Sequence, residues 1–145
     1  MEPENNLIFA CLAMVVLSFI VGVRMLLFRI AELKEKRMDP QTAFATSVQM
    51  VSQLQNVRAA DNFRNLFEVP VLFYTLVAVA IGLGHVPSWL VIGAWGFVLL
   101  RYVHSFIHCT YNKVMHRFSA FGLGFLLVVI LWILFVVTFP VENVI

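Results

Sequence analysis

Residues 118–139 read FSAFGLGFLLVVILWILFVVTF, twenty-two residues without a formal charge. As a helix rising about 1.5 Å per residue this stretch is roughly 33 Å long, enough to cross a hydrocarbon core of about 30 Å. Working outward, three more apolar runs lie upstream, at about residues 88–109, 63–83 and 7–29, the last interrupted only by Ser18 and Arg24. The whole chain has 145 residues, of which 61% are hydrophobic and 12% charged, with a mean hydropathy of +0.91. An ordinary soluble domain carries about 25% charged residues, and a chain this short has too much surface to hide so much apolar side chain from water. A soluble globule is excluded, and the sequence predicts an all-α integral membrane protein with four spans. The spans and their connections nearly exhaust the chain, so residues 1–145 are read as one domain.

The segment ahead of Leu7 holds Glu2 and Glu4 but no Lys or Arg, unlike a secretory signal, so the first run is read as a retained helix. Gly84 and Pro87 punctuate a very short connection between the second and third runs, which predicts an antiparallel hairpin. All ten basic residues fall at one end of the resulting bundle. Arg24, Arg29, Lys34, Lys36 and Arg37 follow or end the first run, Arg58 and Arg64 begin the second, and Arg101, Lys113 and Arg117 surround the last connection. The bias of Lys and Arg toward cytoplasmic loops predicts a multi-pass protein with both termini on the non-cytoplasmic side, here expected in the cell's inner membrane. Cys11 and Cys109 then lie near opposite faces and cannot be bridged within one chain. The polar loop from Ala31 to Asn62 opens with alternating charges. From Pro40 onward it is expected to be partly helical at the interface, with the second helix starting near Arg58.

Ionisable residues inside a span cost about 2.5–3.5 kcal/mol each and mark candidate sites. Asp61, Asn65 and Glu68 follow one another at spacings of four and three, which stacks them on one helix face, with Arg64 one turn before Glu68. Arg101, His104 and His108 do the same on the third span. Counted from the helix ends, Glu68 and Arg101 reach similar depth, with Arg101 roughly 10 Å short of its cytoplasmic end. They are expected to form a buried ion pair, with Asn65, His104 and Arg64 nearby and Arg117 closing the site. Two interpretations stay open, an interhelical brace or a polar cavity opening toward the cytoplasmic leaflet. Arg24 and Arg29 are expected to snorkel to the interface. His104 and His108 could share a metal, but no other span offers His or Cys at their level, so no metal is expected. Gly93, Gly96, Ala120 and Gly124 read as close helix contacts, and Pro70 as a kink.

Two stretches resemble the MAPEG family, the membrane-associated proteins of eicosanoid and glutathione metabolism, in its bacterial-type form. RAADNFRNLFEVPVLFY, residues 58–74, holds an Arg-Asn-x-x-Glu core at Arg64, Asn65 and Glu68 ahead of a Pro. RYVHSFIHCTYNKVMHRFSAFGLG, residues 101–124, places Arg101, His104 and Arg117 in family register. The resemblance implies a left-handed four-helix bundle assembled as a homotrimer, with glutathione as cofactor in sites between subunits. It also implies a glutathione-dependent transferase or peroxidase acting on a lipophilic substrate at the inner leaflet. Arg64, Asn65, Glu68, Arg101, His104 and His108 would bind glutathione, and Arg117 would be catalytic by stabilising its thiolate. The chemistry fits, since glutathione offers two carboxylates to Arg forks and an ammonium to Glu68. The alternative is a non-catalytic member of the same fold that binds a lipid or a partner protein. Membrane lipids, a lipophilic small molecule and further copies of the chain are the expected partners; nucleic acid is not.

The chain departs from the glutathione-binding pattern at three positions. Asp61 stands where a further Arg is common, and His108 and Phe121 stand where Tyr is common. Two phenols and a guanidinium are thereby lost and a like charge is added opposite a carboxylate. Tyr111 and Ser119 offer hydroxyls in exchange.

Overall fold

The computed structural model describes residues 2–37, 39 and 58–140. The stretch expected to be partly helical at the interface, from Pro40 onward, lies mostly outside the described residues.

Helix α1 spans Pro3–Lys36. Its proline sits in the first turn, where a missing N–H costs nothing, and Glu4 beside it favours the positive end of the helix dipole. At the other end Arg37 takes a left-handed conformation with φ 50°, its N–H directed to the carbonyls of Leu33 and Lys34, as helix C-caps commonly do. The helix thus starts before the apolar run and continues past it into the charged stretch, where Lys36 pairs with Glu32 at 2.6 Å. Its buried residues are Leu7, Ala10, Met14, Leu17 and Val21, spaced alternately by three and four. That period of 3.5 makes one seam against the rest of the bundle. Ile8, Leu12, Val15, Phe19 and Ile20 on its other faces are exposed.

The second span is split. Helix α2 covers Arg58–Glu68 and α3 covers Pro70–Gly82, because Pro70 has no N–H to continue the ladder. The break is tightened by the Leu72 N–H donating to the Val69 carbonyl at 3.1 Å. Gly84, at φ 63°, turns the chain tightly into α4, Ser88–Cys109, and the left-handed conformation there suits a residue without Cβ. A second short turn contains Asn112 at φ 50° and leads to α5, Val114–Thr138. Among the described residues there is no strand, and four helical segments are long and apolar enough to cross a membrane, with Ala59–Gly82 counted as one.

Helix α4 lies at the centre, packed against α1, α2 and α5. The Phe73 and Phe97 rings stack 4.8 Å apart between α3 and α4. Gly93 of α4 lets α5 approach so closely that an added Cβ would overlap the Leu131 side chain, whereas Gly96 and Gly124 would take one at ordinary contact distance, so of these glycines Gly93 serves close approach. Two side-chain donors also join helices: the Tyr102 hydroxyl donates to the Ala13 carbonyl at 2.8 Å and the Trp132 indole N–H to the Leu72 carbonyl at 3.0 Å. Interhelical hydrogen bonds in membranes contribute about 0.6 kcal/mol on average and up to about 1.7. Tyr102→Phe is therefore expected to lower stability by about 1 kcal/mol without changing the fold, measured by unfolding in detergent. The outward faces of α1 and α5 remain apolar, with Phe19 71% and Val137 75% exposed, and such surface belongs against lipid or another apolar face.

Candidate functional site

The α2 sequence sets one polar stripe. Asp61, Arg64, Asn65 and Glu68 fall at i, i+3, i+4 and i+7, so successive turns of one helix carry them on the same side. Residues 104 and 108 of α4 are also one turn apart, and residues 114, 117, 118 and 121 stack along the start of α5. These three stripes face one another around a cavity of about 350 Å³, within the range of about 300–1,000 Å³ usual for small-molecule sites. Six of the seven residues expected to bind glutathione or to be catalytic line it: Arg64, Asn65, Glu68, His104, His108 and Arg117. Asp61 joins them, and Val114, Phe118 and Phe121 supply an apolar wall.

Arg117 is held in place by its neighbours. One Nη1 proton is donated to Asn112 Oδ1 at 2.9 Å, and Nη1 stands 3.5 Å from His108 Nε2. The left-handed turn at Asn112 brings that amide back over the first turn of α5, a role sequence spacing does not announce. His104 is fixed through its other edge: Nδ1–H donates to the Arg117 carbonyl at 3.2 Å, since a carbonyl can only accept. The neutral ring then carries its lone pair on Nε2, which is buried without a hydrogen-bond partner among the described residues. A ligand N–H, O–H or S–H entering the cavity would find an acceptor there. The His104 and His108 rings meet edge to face at 5.7 Å.

Arg101 behaves differently from expectation. It is 1% exposed and does not line the cavity. Its guanidinium lies between two rings, 5.3 Å from the centroid of Phe97 and 5.0 Å from that of Phe121. Phe121 is itself a wall residue, so Arg101 sits behind the wall. The expected Glu68–Arg101 ion pair is not formed: all three guanidinium nitrogens lack a hydrogen-bond partner among the described residues. Equal depth on two helices does not ensure contact, and here the guanidinium is packed against the Phe97 and Phe121 rings instead. Tyr111 and Ser119 likewise stay outside the cavity, their hydroxyls engaged with His116 Nδ1 at 3.1 Å and the Met115 carbonyl at 2.9 Å. Arg24 does more than snorkel: its Nη2 donates to the Cys109 carbonyl at 2.7 Å and its guanidinium lies over the Phe28 ring. It caps the end of α4, where orphan carbonyls and the helix dipole favour a cation.

Asn62 was not singled out by its spacing, yet it is wholly buried. Its Nδ2 donates to Cys109 Sγ at 3.3 Å, and Ser105 Oγ donates to its Oδ1 at 3.3 Å. It thus anchors α2 to α4 directly behind the polar stripe, and the available signal was an amide next to Asp61 but about 100° round the helix from it. Asn62→Ala leaves the Ser105 hydroxyl without its acceptor, and the expected cost is about 1–3 kcal/mol of stability, read from thermal unfolding in detergent. Cys11 and Cys109 are both free. Among the described residues no group of three His, Cys, Asp or Glu side chains converges as a metal site would require.

A sequence model of the MAPEG family matches residues 7–137. No curated protein and no solved structure matches the chain.

Proposed function

The chain belongs to the MAPEG family and is an integral, multi-pass membrane protein; on that premise we propose a glutathione-dependent transferase or peroxidase acting on a lipophilic substrate at the inner leaflet. The observation that carries this is the convergence of Arg64, Asn65, Glu68, His104, His108 and Arg117 on one cavity. The donor set suits the γ-glutamyl-cysteinyl part of the tripeptide. Glu68 provides a carboxylate for its ammonium, Arg64 a fork for a carboxylate, Asn65 both a donor and an acceptor for amides, and His104 Nε2 an acceptor. When bound, glutathione supplies a thiol as nucleophile or reductant.

Arg117 then has the catalytic part. A guanidinium beside a thiol favours the thiolate and so raises the reactive fraction. Asn112 and His108 hold Arg117 on the cavity side, which spares it the entropy of finding that position at each turnover. Val114, Phe118 and Phe121 form an apolar wall on α5, suited to an apolar substrate entering from the bilayer. The apolar outer faces of α1 and α5 support the homotrimer as the assembly, and the same faces contact lipid elsewhere. The clustering of Lys and Arg at the opposite end supports a non-cytoplasmic side for both termini.

The test uses the purified full chain in detergent. Glutathione at a hundred times its Kd should raise the free energy of unfolding by about 2.7 kcal/mol, and a chlorodinitrobenzene should be conjugated at a rate above the uncatalysed one. Absence of any glutathione effect, together with a lipid that co-purifies in fixed proportion, would instead establish the non-catalytic alternative.

A further inference from the structure

The charges along the cavity face of α2 alternate: carboxylate at Asp61, guanidinium at Arg64, carboxylate at Glu68. Seven residues of helix separate the two carboxylates, about 10 Å along the axis. All three side chains are exposed, and none takes part in an ion pair or a hydrogen bond among the described residues. Opposite them stands Arg117, so the lining carries two carboxylates and two guanidiniums. The formal charges cancel when the histidines are neutral.

Glutathione does not match that pattern at both ends. Its γ-glutamyl end carries an ammonium and a carboxylate together, which pair naturally with Glu68 and Arg64. Its glycyl end is a second carboxylate and reaches about as far as the next acidic side chain. Glu68 closes α2 at the Val69 break, whereas Asp61 lies toward the helix start, so a ligand with its amino-acid head at Glu68 runs toward Asp61. A carboxylate arriving there meets a like charge, which disfavours binding in a partly desolvated cleft.

Resting on the glutathione-type activity proposed for this cavity, we propose that Asp61 determines specificity for a thiol that ends in a cation where glutathione ends in a carboxylate. The ligand class is a γ-glutamyl-cysteinyl thiol whose glycyl carboxyl is amidated with an amine-bearing tail. The head keeps its contacts with Glu68 and Arg64, the thiol stays available to Arg117, and the tail ammonium pairs with Asp61.

The experiment is calorimetric titration of the full chain in detergent with two probes, glutathione and glutathione amidated by 1,4-diaminobutane. The amine-tailed probe is expected to bind about tenfold more tightly, the scale of one charge contact changing sign. Asp61→Asn, nearly isosteric, should bring the two affinities within about threefold, and Asp61→Arg should reverse their order. Equal or tighter binding of glutathione by the unaltered chain, or an affinity ratio unmoved by Asp61→Arg, overturns the ligand class while leaving glutathione-dependent activity standing. If neither probe binds, the proposed activity itself fails, and this assignment falls with it.

Discussion

Arg117→Ala is expected to slow thiol conjugation through thiol chemistry alone, by up to about fourfold at pH 7 and by more at lower pH, with the fold intact. A neighbouring cation lowers an acid's pKa by about one to three units, so its removal cuts the thiolate fraction by about tenfold to a thousandfold where the pH lies below both pKa values, and by at most about thirtyfold at pH 7, where a thiol at its ordinary pKa is about 3% ionised. The loss is partly offset because a more basic thiolate is intrinsically the better nucleophile, with a Brønsted slope of about 0.4–0.5. The sign of the pH effect follows. With Arg117 the bound thiol ionises below its ordinary value of about 8.5, so the rate levels off early; without it the rate keeps rising through about pH 8.5, and the deficit closes and then reverses on the alkaline side. Stopped-flow or steady-state rates of conjugation between pH 6 and 9.5 read this directly. The alanine variant retains the backbone carbonyl that accepts from His104 Nδ1 at 3.2 Å, so the histidine tautomer is unchanged. A deficit of the same size at every pH would show that Arg117 only positions the ligand.

The spans were legible because a bilayer makes a one-dimensional demand: length and apolarity suffice, and residues 118–139 meet both. The helices nevertheless run differently from the apolar runs. Hydropathy stops where charge begins, but the α-helical ladder of α1 continues through Glu32 and Lys34 to Lys36 as its last residue, since water tolerates a helix as readily as lipid does. The polar stripe of α2 was also legible, since i, i+3, i+4 and i+7 spacing is a property of one helix. What the sequence could not state was which side chains meet across helices. Asn112 aims Arg117 only because its own backbone is left-handed, at φ 50°, and Asn62 faces Ser105 and Cys109 only once α2 and α4 are packed. The Glu68–Arg101 pair was inferred from depth alone, and depth fixes one coordinate out of three. The rotation of α5 decides the other two by placing Phe121 against the guanidinium.

That ring makes Arg101→Met the sharpest test of the packing. A guanidinium that is 1% exposed, with no hydrogen-bond partner on any of its three nitrogens among the described residues, has lost its hydration and regained the cation–π attraction of Phe97 and Phe121. Such contacts contribute about 0.5–2 kcal/mol, against an effective desolvation penalty of several kcal/mol per buried ion. Methionine is unbranched, flexible and able to fill much of the same volume between the rings. The exchange is therefore expected to raise stability, by about 1–4 kcal/mol if it follows other replacements of buried charges by packed apolar side chains. Arg101→Ala removes the charge but leaves a void beside Gly124, where even an added Cβ would meet Arg101 Nε only at ordinary van der Waals distance. It should fall below the methionine variant by about 2–5 kcal/mol, the usual cost of truncating a large buried side chain. Thermal unfolding of both variants in one detergent separates charge from volume. Destabilisation by methionine comparable to that by alanine would mean that the guanidinium has a charged partner in the folded protein, with Glu68 turned through the cavity wall as the nearest group able to supply it.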